Sequence, residues 1–361
     1  MLARFFITLP FNFCASKTAQ FKIYEYEDMG YKVRVYPPHC TDEKAATAPD
    51  EIKVNDESAI LANILRIDFQ KESFNRDQGG PMEPPQSVIA SATASFLRRV
   101  RHVCRAFFVS TPSFPNGVWQ LKYLNDDETE LIPTKGLVTA RGAYHALSVS
   151  FVGITPEVWD TFHELDEKYE PPPWDVLLLD AYAELPKVGT SVVLAATALE
   201  TFIAVILDQL ASEHSLPNDL WMWINKREDY RQEPTVQEQY DVLLKFFTTH
   251  SLKEDTSLWK AFHELKQARN RFVHEGVATI GKLKVPVDAA RAREFVVAAE
   301  HIIDKIREWL PESMRWPVFR PEVKVEFSKI FLIRGDEKSG PTKPEGVVPE
   351  PPDEGKRSPE E

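Results

Sequence analysis

Cysteine is scarce, with 3 in 361 residues. Cys14, Cys40 and Cys104 are far apart and odd in number. That excludes a disulfide framework, and no pair has zinc-site or CxxC spacing, so a reducing, cytoplasmic setting is expected. A surplus of positive charge is missing too: 43 Lys and Arg face 55 Asp and Glu, for a net charge of -12. This excludes a general nucleic-acid coat and leaves only a local basic patch for any polyanion. There is no HExxH and no dense carboxylate cluster at ligand spacing, so neither metal nor cofactor is expected. Long apolar runs are few. Val188 to Leu210 is the most apolar stretch, but Glu200 interrupts it and no basic flank precedes it. A buried core helix is expected there, and no membrane span.

The opening, MLARFFITLPFNFCAS, has an early Arg and an apolar run like a weak signal peptide. Yet Ile7, Leu9, Phe11 and Phe13 alternate with Thr8, Pro10 and Asn12, which is the period of a strand, and Pro10 suggests an edge. Hairpins follow at FKIYEYEDMGYKVRVYPP and at VWQLKYLNDDETELIPT. Ile60 to Phe69 is a strand or a short helix. Ser87 to Val109 has helical spacing, with Phe96, Val100, Val103, Cys104 and Phe107 on an apolar face. Arg98, Arg101, His102 and Arg105 form a basic face, either solvated or available to an RNA backbone. A strand at Ala146 to Val152 and a short helix from a Thr155 cap to Leu165 complete a mixed α+β domain over residues 1–175.

KYEPPPWD breaks the chain, and the pattern beyond it turns helical. Helices are expected at Thr190 to Ser212, Asn218 to Lys226, Thr235 to Thr249, Thr256 to His274 and Asp288 to Trp309. Short loops join them, giving an all-α up-and-down bundle over 176–316. Val323, Val325 and Phe327 alternate with charged residues, which suits a strand returning to the first domain within 317–334. Residues 335–361 are rich in Pro, Glu and Lys and are expected to be disordered.

The helix SLWKAFHELKQARNRFVHEG carries the most chemistry. Leu258, Phe262, Leu265, Phe272 and Val273 share one face, and Arg269 sits in the middle of that stripe. His263, Gln267, Asn270 and His274 form a polar stripe beside it. A guanidinium among hydrocarbon needs an acid, a wet cleft or an anion. Glu200, equally misplaced among Leu199, Phe202, Ile203 and Ile206, is the expected partner. His274 lies at the helix end before Gly276, a C-cap position where the helix dipole favours an imidazolium. Gly276-Val-Ala-Thr-Ile-Gly281-Lys282 imitates a P-loop. However, Leu283 replaces the required Ser/Thr and the segment follows a helix, so no ATP site is expected. Trp221 and Trp223, flanking Met222, read as core or dimer packing rather than base stacking.

Arg269-Asn270-Arg271-Phe272-Val273-His274 matches the RNxxxH motif of HEPN (higher eukaryote and prokaryote nucleotide-binding) domains. Thr190 to Leu310 resembles that family in the order of its helices, about a third of the chain. The resemblance implies a dimeric, metal-independent endoribonuclease with Arg269 and His274 catalytic and Asn270 orienting them. Glu200 and His263 would support them; apart from the resemblance, the basic face of Ser87 to Val109 offers Arg98, Arg101 and Arg105 as weak RNA contacts. The resemblance also implies a defence or toxin role, with residues 1–175 as a sensor of a protein trigger. Some relatives of this kind are instead non-catalytic RNA, nucleotide or protein-binding modules.

Overall fold

A computed structural model describes residues 1–39, 52–72, 74, 83–110, 119–129, 150–166, 168–225 and 233–327. Cys40, the expected tail 335–361, the second half of the hairpin after Asn125 and the start of the strand expected from Ala146 lie outside these residues.

Two long antiparallel strands, β1 (Leu2–Ser16) and β5 (Glu57–Gln70), form the spine of the first half. β6 (Trp119–Leu124) flanks the opening half of β1, and β3 (Tyr31–His39), which carries β2 (Tyr24–Asp28) on its other side, flanks the closing half of β5. β4 (Ile52–Val54) flanks the start of β5, and β7 (Phe151–Ile154) runs parallel to the closing half of β1. The chain turns from β2 to β3 through Met29 and Gly30, and from β4 to β5 through Asn55 and Asp56, all four with positive φ. β1 is therefore not the edge strand that Pro10 suggests. Pro10 falls where the β1–β5 register shifts, between Thr8 and Phe13, and between the stretches paired with β6 and β7. A residue with no N–H is tolerated at that bulge. Alternation buries Phe5, Ile7, Leu9, Phe11 and Phe13 with Phe96, Trp159 and Phe162 of α1 (Gln86–Val103) and α2 (Pro156–Glu164). α1 ends before Val109, because Arg105 adopts φ +53, and Phe107 is exposed instead of joining the apolar face.

The second half is helical: α3 (Pro173–Ala183), α4 (Val188–Glu213), α5 (Asn218–Asn225), α6 (Val236–Glu238), α7 (Leu244–Thr248), α8 (Thr256–Glu275) and α9 (Ala289–Trp309). α3, begun by Pro173, was hidden by its prolines in the sequence; its Trp174 and Leu178 enter the common core. The helix expected over Thr235 to Thr249 forms as one run from Val236 to Thr248, with a π-helical turn, Gln239–Leu243, in its middle. The buried Tyr240 hydroxyl donates to the Leu199 carbonyl 2.8 Å away, which ties that turn to α4. α4 is the central rod and packs on α3, α8 and α9. By length and composition it could cross a membrane, yet 56% of its most apolar window is buried in the protein. Gly189 lets α8 approach: a Cβ there would sit 2.0 Å from Phe272 Cε2. A small hairpin, β8 (Thr279–Ile280) and β9 (Val285–Pro286), replaces the plain loop expected between α8 and α9. Gly276 caps α8 and Gly281 turns this hairpin, both at positive φ, so the P-loop look-alike has an unrelated structure. The chain is thus mixed α+β, an antiparallel sheet first and helices after.

The halves are joined by charge. Arg98 pairs with Glu170, Arg101 with Asp180, and Arg105 with both Asp175 and Glu300. His102 Nε2 stands 2.6 Å from Asp175 Oδ2. Tyr182 donates to Glu300 at 2.9 Å. The basic face of α1 is therefore neither a solvated face nor an open RNA surface, but the seam against α3 and α9. β10 (Val325–Phe327) pairs antiparallel with β4, returning the chain to the first sheet.

Candidate active site

α8 starts at Asp255, whose side chain accepts from the Ser257 and Leu258 amides, and ends where Gly276 adopts φ +77 and donates to the Phe272 carbonyl. Between these caps Phe262, Leu265 and Ala268 are buried. Their spacing fixes the rotation of the helix, and with it the directions of its polar side chains.

Arg269 meets Glu200, with Nη2 3.7 Å from Glu200 Oε2, a distance at the loose end of ion pairing. Arg269 Nη1 donates to Asn270 Oδ1 at 3.1 Å. Its Nε is buried with no hydrogen-bond partner among the described residues. The side chain is 31% exposed, so the guanidinium is at the rim of the apolar stripe instead of its centre. Val273 also departs from the expected stripe, being 54% exposed beside an exposed Val277. His274 is exposed at the helix terminus. Five residues at about 100° each place Arg269 and His274 about 140° apart around the axis.

A depression of about 400 Å³ lies against α8, lined by Gln237, His263, Glu264, Lys266, Gln267, Asn270 and Arg271. It takes in three members of the polar stripe, His263, Gln267 and Asn270, but neither Arg269 nor His274. Gln237 Nε2 lies 2.6 Å from His263 Nδ1. The amide donates there, which leaves the ring proton on Nε2. Trp259 packs edge-on against the imidazole at 4.6 Å. Burial pushes the His263 imidazole below its ordinary value, and the charge of Lys266 pushes the same way. Gln267 Oε1 accepts from the Gly281 amide at 2.7 Å, and Arg271 Nη1 donates to Thr279 Oγ1 at 3.3 Å, so both hold the β8–β9 hairpin to this face. Lys266 and Arg271 were not singled out in the sequence. Their signal was position: i+3 and i+8 from His263 brings each beside the polar stripe.

Among the described residues no group of three or more His, Cys, Asp or Glu is arranged to hold a metal. Trp221 is buried, its indole donating to Asp208 at 2.7 Å, while Trp223 is largely exposed. The chain matches no protein-family model, no curated protein and no solved structure.

Proposed function

We propose that the helical half is a HEPN-like bundle whose α8 carries half of a metal-independent endoribonuclease site. The observation that carries this reading is the state of Arg269. Its guanidinium is partly exposed and aligned by Asn270, yet held from Glu200 by 3.7 Å. It is a positive charge with spare donors. RNA supplies its own nucleophile, the 2′-hydroxyl, which DNA lacks. The proton transfers need a group that can accept a proton at one nitrogen and give one from the other, and the imidazole of His274 is such a group. The negative charge that builds on phosphorus needs a fixed cation, and Arg269 offers a planar fork of donors. Asn270 positions that fork through its carbonyl oxygen.

The resemblance implies a second copy of the chain, and Arg269 and His274 lie about 140° apart around α8. Two copies meeting near His274 would offer an arginine and a histidine from different chains. Val273 in the last turn of α8 and Val277 just past its Gly276 cap, both exposed, give that meeting an apolar footing. The first half would then act as a receptor for a protein trigger, joined through the charged seam, in a cytoplasmic defence or toxin protein.

The test is incubation of purified protein with RNA in EDTA, followed by analysis of the ends. Cleavage leaving 2′,3′-cyclic phosphates is expected, with loss of about 100-fold or more in Arg269→Ala or His274→Ala. RNA left intact by the wild type in cells and in vitro supports the alternative, a non-catalytic binding module. One observation favours that alternative: the depression on α8 includes Asn270 but not the two groups that would do the chemistry.

A further inference from the structure

The depression beside the motif has a chemical bias. Lys266 has no hydrogen bond or ion pair among the described residues, and Arg271 bonds only the Thr279 hydroxyl. This contrasts with Arg98, Arg101 and Arg105, each neutralised by a carboxylate within the chain. The remaining groups facing the depression are mostly donors as well. Asn270 spends its carbonyl oxygen on Arg269, which leaves its amide N–H groups. Gln267 spends its own on Gly281, with the same result. His263 has Nδ1 turned to Gln237, so Nε2 carries the proton. The one acid in the lining, Glu264, is paired with Arg291. A depression with one free cation, a second held only by a hydroxyl, and a row of N–H donors is complementary to a ligand that is anionic and made of acceptors.

We propose that this depression binds the phosphodiester backbone of a single RNA strand flanking the bond to be cut, with Lys266 and Arg271 as its phosphate contacts. From His263 to Arg271 the lining extends about 12 Å along the helix, at about 1.5 Å per residue. That length favours a stretch of strand over a single phosphate. His263 donates from Nε2 to a phosphate or ribose oxygen, and Gln237 is the positioning residue that holds its tautomer. The cations sit on the surface of a protein whose net charge is -12. Binding is therefore local and strongly dependent on salt. The strand path deepens the nuclease reading, but its test does not depend on cleavage.

The probe is a fluorescein-labelled, single-stranded 2′-O-methyl oligouridylate, which has no free 2′-hydroxyl to attack the phosphate. Anisotropy with the full chain measures affinity across a salt series. Lys266→Gln with Arg271→Gln is expected to weaken binding about tenfold or more and to flatten the plot of log K against log salt by about 0.7 per cation removed. The His263 ring signals in an NMR spectrum are expected to move on adding the oligonucleotide to wild type, and to stay still in the double variant. Circular dichroism and thermal melting identify any variant that fails to fold; Lys266→Gln alone, which removes no internal bond, then carries the test. Unchanged affinity and slope overturn the proposal. So does uridine monophosphate binding as tightly as the strand, which makes the depression a nucleotide pocket. If binding follows the prediction while RNA stays uncut, the backbone site stands and the nuclease reading fails.

Discussion

At the scale of single residues, two positions show how tightly α8 is specified. Gly189 leaves the space that the Phe272 ring fills; an added Cβ would come within 2.0 Å of Cε2. Gly189→Ala must push the ring or the helix aside, although alanine is the better helix former. We expect a loss of about 1–3 kcal/mol. Urea titration would show a lower midpoint at unchanged slope, and a midpoint that does not fall would contradict the packing described. Arg269 is the second position. Its place could be read from the sequence as a cation within an apolar stripe, as could Glu200 as its counterpart. The sequence could not place the guanidinium at the rim of that stripe. That depends on which way the neighbouring Val273 faces, and Val273 is exposed because no described element covers its side of α8.

At the scale of elements, what was legible followed periodicity. The alternation in β1 and the 3.6-residue stripes of α4, α8 and α9 need only local sequence and one buried face. What was not legible depended on partners distant in the chain. Pro10 reads as an edge residue until the register shift against β5 is known. The prolines before Trp174 read as a break, although Pro173 at the first turn starts α3. The π-turn in the run from Val236 is set by Tyr240 reaching the Leu199 carbonyl. The basic face of α1 reads as solvent or RNA-facing until α3 and α9 bring their acids to it. Asp175 is central to that seam. Burial pushes its carboxyl up, but the contact from His102 and the charge of Arg105 outweigh this and hold it below the ordinary 3.8. A depressed carboxylate contributes stability that is complete above 3.8 and is lost as pH falls through the folded value. Asp175→Asn should cost about 3 kcal/mol at neutral pH, since it leaves Arg105 with Glu300 alone. It should also flatten the acid limb of the stability profile below pH 3.8. Urea midpoints across pH that fall as steeply in the variant as in wild type would remove Asp175 from that role.

At the scale of the whole molecule, the seam makes the two halves mechanically continuous. Arg105 bridges the first turn of α3 and the middle of α9, and α9 packs on both α4 and α8. A ligand on the sheet half can therefore bias α8 by moving α1 against these acids, a discrete repacking of ion pairs. In the proposed reading, a second copy of the chain supplies part of the chemistry. Mixing two inactive variants tests this most directly. Arg269→Ala and His274→Ala chains, each silent alone, are co-expressed and purified as a mixed assembly through two different tags. If each site takes its arginine from one chain and its histidine from the other, the mixed assembly keeps one intact pair and cuts RNA in EDTA with about half the wild-type activity. A mixed assembly as silent as its parents, beside a wild type that cuts, would contradict a site shared between chains.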